Sequence, residues 1–213
     1  MVVHELFPTR VAQTPYSNHL PLKELILKLV DKHNNSDVKS DNGYSPHLFH
    51  MFQDSELLNL PELLDFNQFL LDSCFNYVDT ILGKQVDEMV ITECWLNICN
   101  SGGEQVQHSH MNSYVSGTYY VNVGKVHQGL TFYNKQAHTH NAPFLRMLDN
   151  SKTTNNIHFS VKHNLEGTLL LWPSHIYHGY PKNNNDNRIS ISMNFMPKTV
   201  QGENYSFTVT KTQ

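Results

Sequence analysis

The fold is decided by residues 167–195, whose sequence is GTLLLWPSHIYHGYPKNNNDNRISISMNF. The stretch opens with the apolar run Gly167–Trp172 and closes with Arg188–Phe195, in which polar and apolar residues alternate. Both segments have the composition of β-strands, and Pro, Gly and Asn clusters bound them. The Asn-rich tract at 183–187 predicts a solvated hairpin loop. We therefore predict two strands here.

The same β-branched and aromatic texture recurs on both sides of this stretch. Short strands separated by Gly, Pro and Asn clusters are typical of a sandwich or a closed barrel. The further predicted strands are Met89–Ile98, Tyr114–Val123, Gly129–Tyr133, Ile157–Val161 and Ser206–Thr210.

The first part of the chain has helical periodicity instead. Pro21–Val30 places four apolar side chains on one helical face, and Asn67–Leu82 has similar spacing before a possible stop at Gly83. Residues 33–46 are polar and indicate a loop. We predict one domain over residues 1–213, with a mainly helical region (1–87) supporting the outside of a β-rich core (88–213).

The composition excludes several classes of protein. The chain has 213 residues, a net charge of −4, 11% aromatic and 16% charged residues, which argues against a disordered chain and against a general binder of nucleic-acid backbones. No run of about 18 apolar residues predicts a membrane span, and the first residues lack the features of a signal peptide. Three cysteines fit a reducing compartment. We expect a cytoplasmic protein, in the host cytoplasm if a phage encodes it.

The 14 histidines make metal binding a hypothesis to examine. His108 and His110 are two residues apart, so on a strand both imidazoles point to the same side. A third histidine follows the apolar strand in a Pro-bounded turn, where His175 and His178 compete for the position. Either group of histidines alone is equally compatible with ordinary surface residues.

The alternation of residues 188–195 separates two faces. Arg188 and Ser190 share one face with Ser192 and Asn194, and the apolar residues share the other. Such a strand has its polar side either in water or inside a barrel. In the second case the arginine would require a carboxylate partner, which its planar fork matches with two hydrogen bonds.

The order of these motifs carries more information than any one of them. His-x-His is followed by Thr-Tyr-Tyr-Val-Asn, by Gly-Leu-Thr-Phe, by an apolar strand with Pro-Ser and a histidine, and by Arg-x-Ser ten residues after His178. Over residues 90–197 this order resembles the iron(II)- and 2-oxoglutarate-dependent oxygenases of the prolyl-hydroxylase type. It is most similar to a small subgroup of predicted oxygenases from marine bacteria and phages. The resemblance implies a double-stranded β-helix, or jelly-roll barrel.

The resemblance also implies roles for individual residues. His108 and His178 would bind iron(II), and Arg188 would pair with the distal carboxylate of 2-oxoglutarate. Ser190 and Tyr120 would add hydrogen bonds to that carboxylate. The implied reaction is hydroxylation of a substrate, with release of succinate and carbon dioxide.

One position departs from the family pattern. The family has His-x-Asp or His-x-Glu, whereas here the third position is His110, which would give a neutral three-histidine face. Three-histidine iron occurs in thiol dioxygenases on a related barrel, and those enzymes do not use 2-oxoglutarate. We choose the oxygenase because only a cosubstrate carboxylate explains Arg188 and Tyr120.

Two alternatives remain at this stage. One is a jelly-roll metal enzyme that does not use 2-oxoglutarate, such as a three-histidine dioxygenase or a cupin-like protein. The other is a non-catalytic jelly-roll binding module. The sequence leaves the substrate open between small molecules and peptidyl side chains, disfavours nucleic acid, predicts no membrane partner, and does not determine the oligomeric state.

Overall fold

The computed structural model describes residue 2 and residues 8–33, 45, 47–52, 57–124, 129–134, 158–161 and 165–210. Within these residues the chain forms two α-helices and twelve strands. Helix α1 is His19–His33 and helix α2 is Leu64–Asn76. The strands are β1 (Ala12–Pro15), β2 (Leu48–Met51), β3 (Met89–Cys99), β4 (Gln105–His108), β5 (Val115–Asn122), β6 (Leu130–Tyr133), β7 (His158–Val161), β8 (Thr168–Pro173), β9 (Tyr177–Tyr180), β10 (Arg188–Pro197), β11 (Thr199–Gln201) and β12 (Ser206–Thr208).

Two antiparallel sheets form the body of the molecule. The large sheet has the order β1-β8-β5-β10-β3-β2, and the small sheet has the order β4-β9-β6-β7. Strands β11 and β12 form a separate hairpin. The prediction of a mainly β protein with antiparallel sheets is confirmed.

The large sheet is buried on both of its faces. On one face Leu169 and Leu171 belong to a core cluster that also contains Ile26 of α1 and Phe66 of α2. On the other face Leu170 packs in a second cluster with side chains of the small sheet. This double burial explains the unbroken apolar run of β8, since each successive side chain enters a different core.

Helix α2 continues a short 3₁₀ turn, Pro61–Leu63, and passes into a π-helical turn, Tyr77–Ile81. Gly83 follows with φ of +64°, the left-handed conformation that glycine adopts at low cost after a helix. The stop predicted at Gly83 therefore matches the structure. None of the described helices is both long and apolar enough to cross a bilayer.

The region predicted as mainly helical also supplies two strands. Strand β1 pairs with β8, and β2 pairs with β3, so each extends one edge of the large sheet. The change from helical to strand-like sequence near residue 88 therefore does not mark the start of the large sheet, because two of its strands precede that residue. Most of the loop predicted at 33–46, and residue Ile157, lie outside the described residues.

The Asn-rich tract is less solvated than predicted. Asn183 is 1% exposed, and its side-chain amide donates to the carbonyl oxygen of Cys99 at 3.0 Å. Its backbone exchanges two hydrogen bonds of 2.7 Å with Gly102 and Gly103. The prediction of a solvated loop is therefore wrong at Asn183, because the tract is anchored to the turn that precedes β4.

Candidate active site

Three imidazoles converge where the small sheet faces the large one. His108 ends β4 and lies directly opposite His178 on β9, with 4.4 Å between the ring centroids. His110 follows β4, and its backbone N–H donates to the carbonyl of Ser174 at 3.0 Å. The Nε2 atoms of His110 and His178 are 3.3 Å apart, and one ring nitrogen from each of the three residues lies within 4.8 Å of the others.

Backbone contacts fix the tautomer of two of these rings. Nδ1 of His108 is 2.9 Å from the carbonyl oxygen of Val106, and Nδ1 of His178 is 2.9 Å from that of Ile176. A carbonyl oxygen only accepts, so each Nδ1 carries the proton and each Nε2 keeps a free lone pair. Such backbone contacts commonly orient metal-binding histidines.

Burial also holds two of the rings, His110 and His178, neutral. Burial, with a smaller contribution from neighbouring His108, lowers the pKa of His110 to about 4. The same two causes, in the same order, lower the pKa of His178 to about 3, against a weaker opposing effect of its hydrogen bond to Ile176. Since a metal-binding imidazole must be unprotonated, the site is prepared for a cation at neutral pH.

The competing histidine lies elsewhere. His175 is exposed in the turn between β8 and β9, whereas His178 is 4% exposed and contacts the rings of Trp172 and Phe132. His175 lies in the turn before β9, whereas His178 lies on β9 opposite His108. The structure thus brings His178, and not His175, to the cluster.

A cavity of about 380 Å³ opens beside the three histidines. The polar face of β10 lines it with four side chains, while Ile189 and Ile191 point into the core shared with the helices. The sequence left open whether this polar face meets water or a barrel interior. It meets the interior, because the small sheet covers it.

Arg188 is buried at one end of this cavity with 2% of its surface exposed. Its guanidinium carbon lies 4.1 Å from the ring centroid of Tyr180 and 5.2 Å from that of Tyr120. It forms no ion pair with a carboxylate of the described residues. Its Nε and the hydroxyl of Tyr120 also make no hydrogen bond there.

Tyr120 and Ser190 are neighbours in this pocket. They pair directly across β5 and β10, and both are buried. Burial raises the pKa of Tyr120, and the nearby guanidinium only partly opposes that rise. The hydroxyl is therefore a neutral hydrogen-bond donor. A buried cation beside two hydroxyl groups is a site for an anion.

A family model described as "Putative 2OG-Fe(II) oxygenase" matches residues 93–194, the span from β3 to β10 that contains the histidine cluster and Arg188. This match covers 102 of the 213 residues and supports the 2OG-Fe(II) oxygenase superfamily as the family that the chain resembles. The matched span lies within residues 90–197, on which the sequence resemblance rested. No curated protein sequence matches this chain.

Solved structures share the fold of this chain at low sequence identity. A prolyl-4-hydroxylase from Pseudomonas putida has 12% identity and a TM-score of 0.59, with coverage of 88% of this chain and 92% of the other. HygX from Streptomyces hygroscopicus, solved with nickel, 2-oxoglutarate and hygromycin B, has 12% identity and a TM-score of 0.58, with coverage of 89% and 83%. A prolyl hydroxylase from Trichoplax adhaerens, solved with a peptide fragment of hypoxia-inducible factor, has 15% identity and a TM-score of 0.56, with coverage of 88% and 83%.

The cavity contains residues that the sequence analysis did not single out. Glu93, Trp95 and Asn97 alternate along β3 and line it together. Trp95 stacks on His110 with 5.9 Å between centroids and 25° between the ring planes. The strand itself was predicted, and its period of two residues was the available signal for this face. Tyr180, which covers Arg188, lies on β9, so the prediction of a turn between two strands is wrong at residues 177–180.

Proposed function

We propose that this oxygenase uses iron(II) and 2-oxoglutarate to hydroxylate a C–H bond of its substrate, with release of succinate and carbon dioxide. The observation that carries the proposal is the buried guanidinium of Arg188, which has no carboxylate partner among the described residues and lies in the same cavity as three imidazoles. A metal site alone explains the three histidines but does not explain why the guanidinium of Arg188 is buried. A dicarboxylate that reaches from the metal to Arg188 explains both.

The histidine cluster fits a metal ion. His108, His110 and His178 would be the ligands, each through Nε2, and three imidazole nitrogens suit a divalent first-row metal. When bound, the metal would supply the redox chemistry with dioxygen. Among the described residues, Nδ1 of His110 has no backbone acceptor. In the metal-free protein the proton on its Nε2 can therefore lie between this atom and Nε2 of His178, which are 3.3 Å apart. Metal binding would move that proton to Nδ1.

The far end of the cavity fits the distal carboxylate of 2-oxoglutarate. Arg188 would donate two parallel hydrogen bonds, and Ser190 and Tyr120 would donate one each. Tyr180 and Tyr120 flank the guanidinium and keep water from it, which strengthens its attraction for an anion. The raised pKa of Tyr120 keeps its proton available for that hydrogen bond.

A second candidate rests on the third ligand. His110 replaces the carboxylate of the family pattern, and a neutral three-histidine face also suits a dioxygenase that does not use 2-oxoglutarate. That reading gives Arg188 no role unless the substrate itself carries the carboxylate. We therefore place it second.

The two candidates differ in what they consume. The proposed oxygenase should release succinate and carbon dioxide from 2-oxoglutarate when supplied with iron(II) and dioxygen, at a slow rate even without substrate. His178→Ala should abolish this release, and His175→Ala, which removes an exposed histidine three residues away, should not. If the iron-loaded protein releases no succinate and calorimetry with manganese(II) detects no binding of 2-oxoglutarate, the proposal is wrong and the second candidate replaces it.

A further inference from the structure

One carboxylate lines the cavity among the described residues, and it belongs to Glu93. Glu93 is exposed, so it lies where the cavity opens to solvent. It pairs with Asn194 across β3 and β10, whereas Arg188 lies six residues earlier on β10. At about 3.3 Å per residue, roughly 20 Å of strand separates the two charges. The cavity thus has a cationic inner end and an anionic mouth that cannot neutralise each other.

A buried hydrogen-bond network holds the Glu93 carboxylate in place. The side-chain amide of Asn194 donates to Glu93 Oε2 at 2.5 Å, and the hydroxyl of Ser116 donates to Asn194 Oδ1 at 2.8 Å. Ser116 also contacts the hydroxyl of Ser174 at 2.9 Å. Asn194, Ser116 and Ser174 are each 1% exposed. An exposed glutamate normally samples many rotamers, so a buried anchor of this kind preorganises the carboxylate.

The position of Glu93 relates it to the metal site. Trp95 is two residues further along the same face of β3 and stacks on His110. Two residues of a strand span about 7 Å. Roughly this distance therefore separates Glu93, measured along β3, from Trp95 and the proposed metal ligand that Trp95 contacts. The indole N–H of Trp95 donates to Asn97 Oδ1 at 3.1 Å, which holds the ring in place against His110 in the cavity lining. Aromatic faces of this kind attract cations.

We propose that Glu93 is a specificity-determining residue and that the substrate carries an ammonium or guanidinium group, which Glu93 binds while a carbon several bonds away faces the metal. This inference rests on the proposed oxygenase function. Arg188 is neutralised by the distal carboxylate of 2-oxoglutarate, so Glu93 is the charge left for the substrate. A cationic group would also pack against Trp95 as it enters.

The test is calorimetry with protein loaded with manganese(II) and 2-oxoglutarate, so that no turnover occurs. The probes are N-acetyl-lysine methylamide and its uncharged counterpart N-acetyl-norleucine methylamide, together with N-acetyl-arginine and N-acetyl-citrulline methylamides. Agmatine and 1,5-diaminopentane form a second arm that distinguishes free amines from peptidyl side chains. We expect at least one cationic probe to bind threefold to fivefold tighter than its neutral counterpart, the range of a solvent-accessible ion pair. The preference should shrink in high salt.

The variants are Glu93→Gln and Glu88→Gln. Glu93→Gln keeps a side chain that can bond to Asn194 and should erase the preference, while the affinity of the neutral probes stays unchanged. Glu88→Gln removes an equal charge from an exposed position just before β3, outside the cavity lining, and should preserve the preference. The inference is overturned if cationic and neutral probes bind equally, if no cationic probe binds, or if the preference survives in Glu93→Gln. Binding of 2-oxoglutarate in the same titrations separates these results from a failure of the proposed function.

Discussion

Replacing Arg188 with methionine should have opposite effects on cosubstrate binding and on the stability of the ligand-free protein. Methionine keeps much of the length of the side chain and removes the guanidinium. Arg188 is 2% exposed and has no carboxylate partner among the described residues, so its charge is partly compensated only by the rings of Tyr180 and Tyr120. The 2-oxoglutarate carboxylate is the partner that the substitution would orphan.

The magnitudes follow from these contacts. Loss of one partner of a buried charge pair costs about 2–5 kcal/mol, which corresponds to an affinity for 2-oxoglutarate weaker by roughly 30-fold to several thousand-fold. In the ligand-free protein, an unpaired buried ion costs several kcal/mol, and cation–π contacts return about 2 kcal/mol of that. Removing the ion should therefore leave the melting temperature unchanged or raise it by up to about 6 °C.

Two measurements check this prediction. Calorimetry under manganese(II) gives the affinity for 2-oxoglutarate, and differential scanning calorimetry without ligands gives the melting temperature. Arg10→Met is the matched control, since Arg10 is exposed and its side chain contacts the carbonyl of Ile81 far from the cavity lining. Two results would refute the assignment of Arg188 as the residue that binds the 2-oxoglutarate carboxylate. One is an unchanged affinity of Arg188→Met for 2-oxoglutarate, and the other is a melting temperature several degrees lower than that of the parent without ligand.

Three further predictions concern the histidines and Tyr120. His110→Ala should lower the stoichiometry or the affinity of iron(II) binding. His110→Asp, which restores the carboxylate of the family pattern, should retain iron. Equal iron binding by the parent and His110→Ala would show that His110 is not a ligand. Tyr120→Phe should weaken 2-oxoglutarate binding by about 1–1.5 kcal/mol, the value of one hydrogen bond, and an unchanged calorimetric affinity would contradict its contact with the carboxylate. Because the pKa of His178 in the folded state is about 3, below the roughly 6.5 of an unfolded histidine, the unfolded chain takes up more protons as pH falls below about 6.5. The metal-free protein should therefore lose melting temperature from pH 7 towards pH 4, less steeply in His178→Gln, and an identical pH dependence in the variant would contradict the buried neutral state.

The alternation of residues along β10 predicted which side chains share a face of the strand, but it did not predict what covers that face. On β10 a strict period of two residues separates Arg188 and Ser190 from Ile189 and Ile191, and the same separation holds in the structure. What the pattern could not determine was whether the polar face meets water or protein. That depends on the small sheet, whose strands are distant in sequence.

The two edge strands of the large sheet, β1 and β2, escaped prediction for a different reason. β1 contains a single β-branched residue and no aromatic residue, and β2 begins just after the polar tract predicted as a loop. β1 even ends in Pro15, which lacks a backbone donor and is tolerated because the strand lies at a sheet edge. Only pairing with β8 and β3 makes these segments strands. The residues of β1 and β2 alone therefore do not predict that the first part of the chain adds two strands to the large sheet.

The three-histidine face and the carboxylate at the mouth are connected through the charge of the cavity. With His110 in place of an acidic ligand, the three proposed protein ligands would offset neither of the two positive charges of the metal. One carboxylate of 2-oxoglutarate would lie at the metal and the other would neutralise Arg188. Glu93 is the one described carboxylate lining the same cavity, and the network through Asn194 and Ser116 fixes its position. In the proposed site, the acidic group that the family pattern has at the metal is missing, and the carboxylate of this cavity lies at its entrance instead. The proposed exchange of a ligand and the proposed preference for a cationic substrate would then both follow from the position of that one carboxylate.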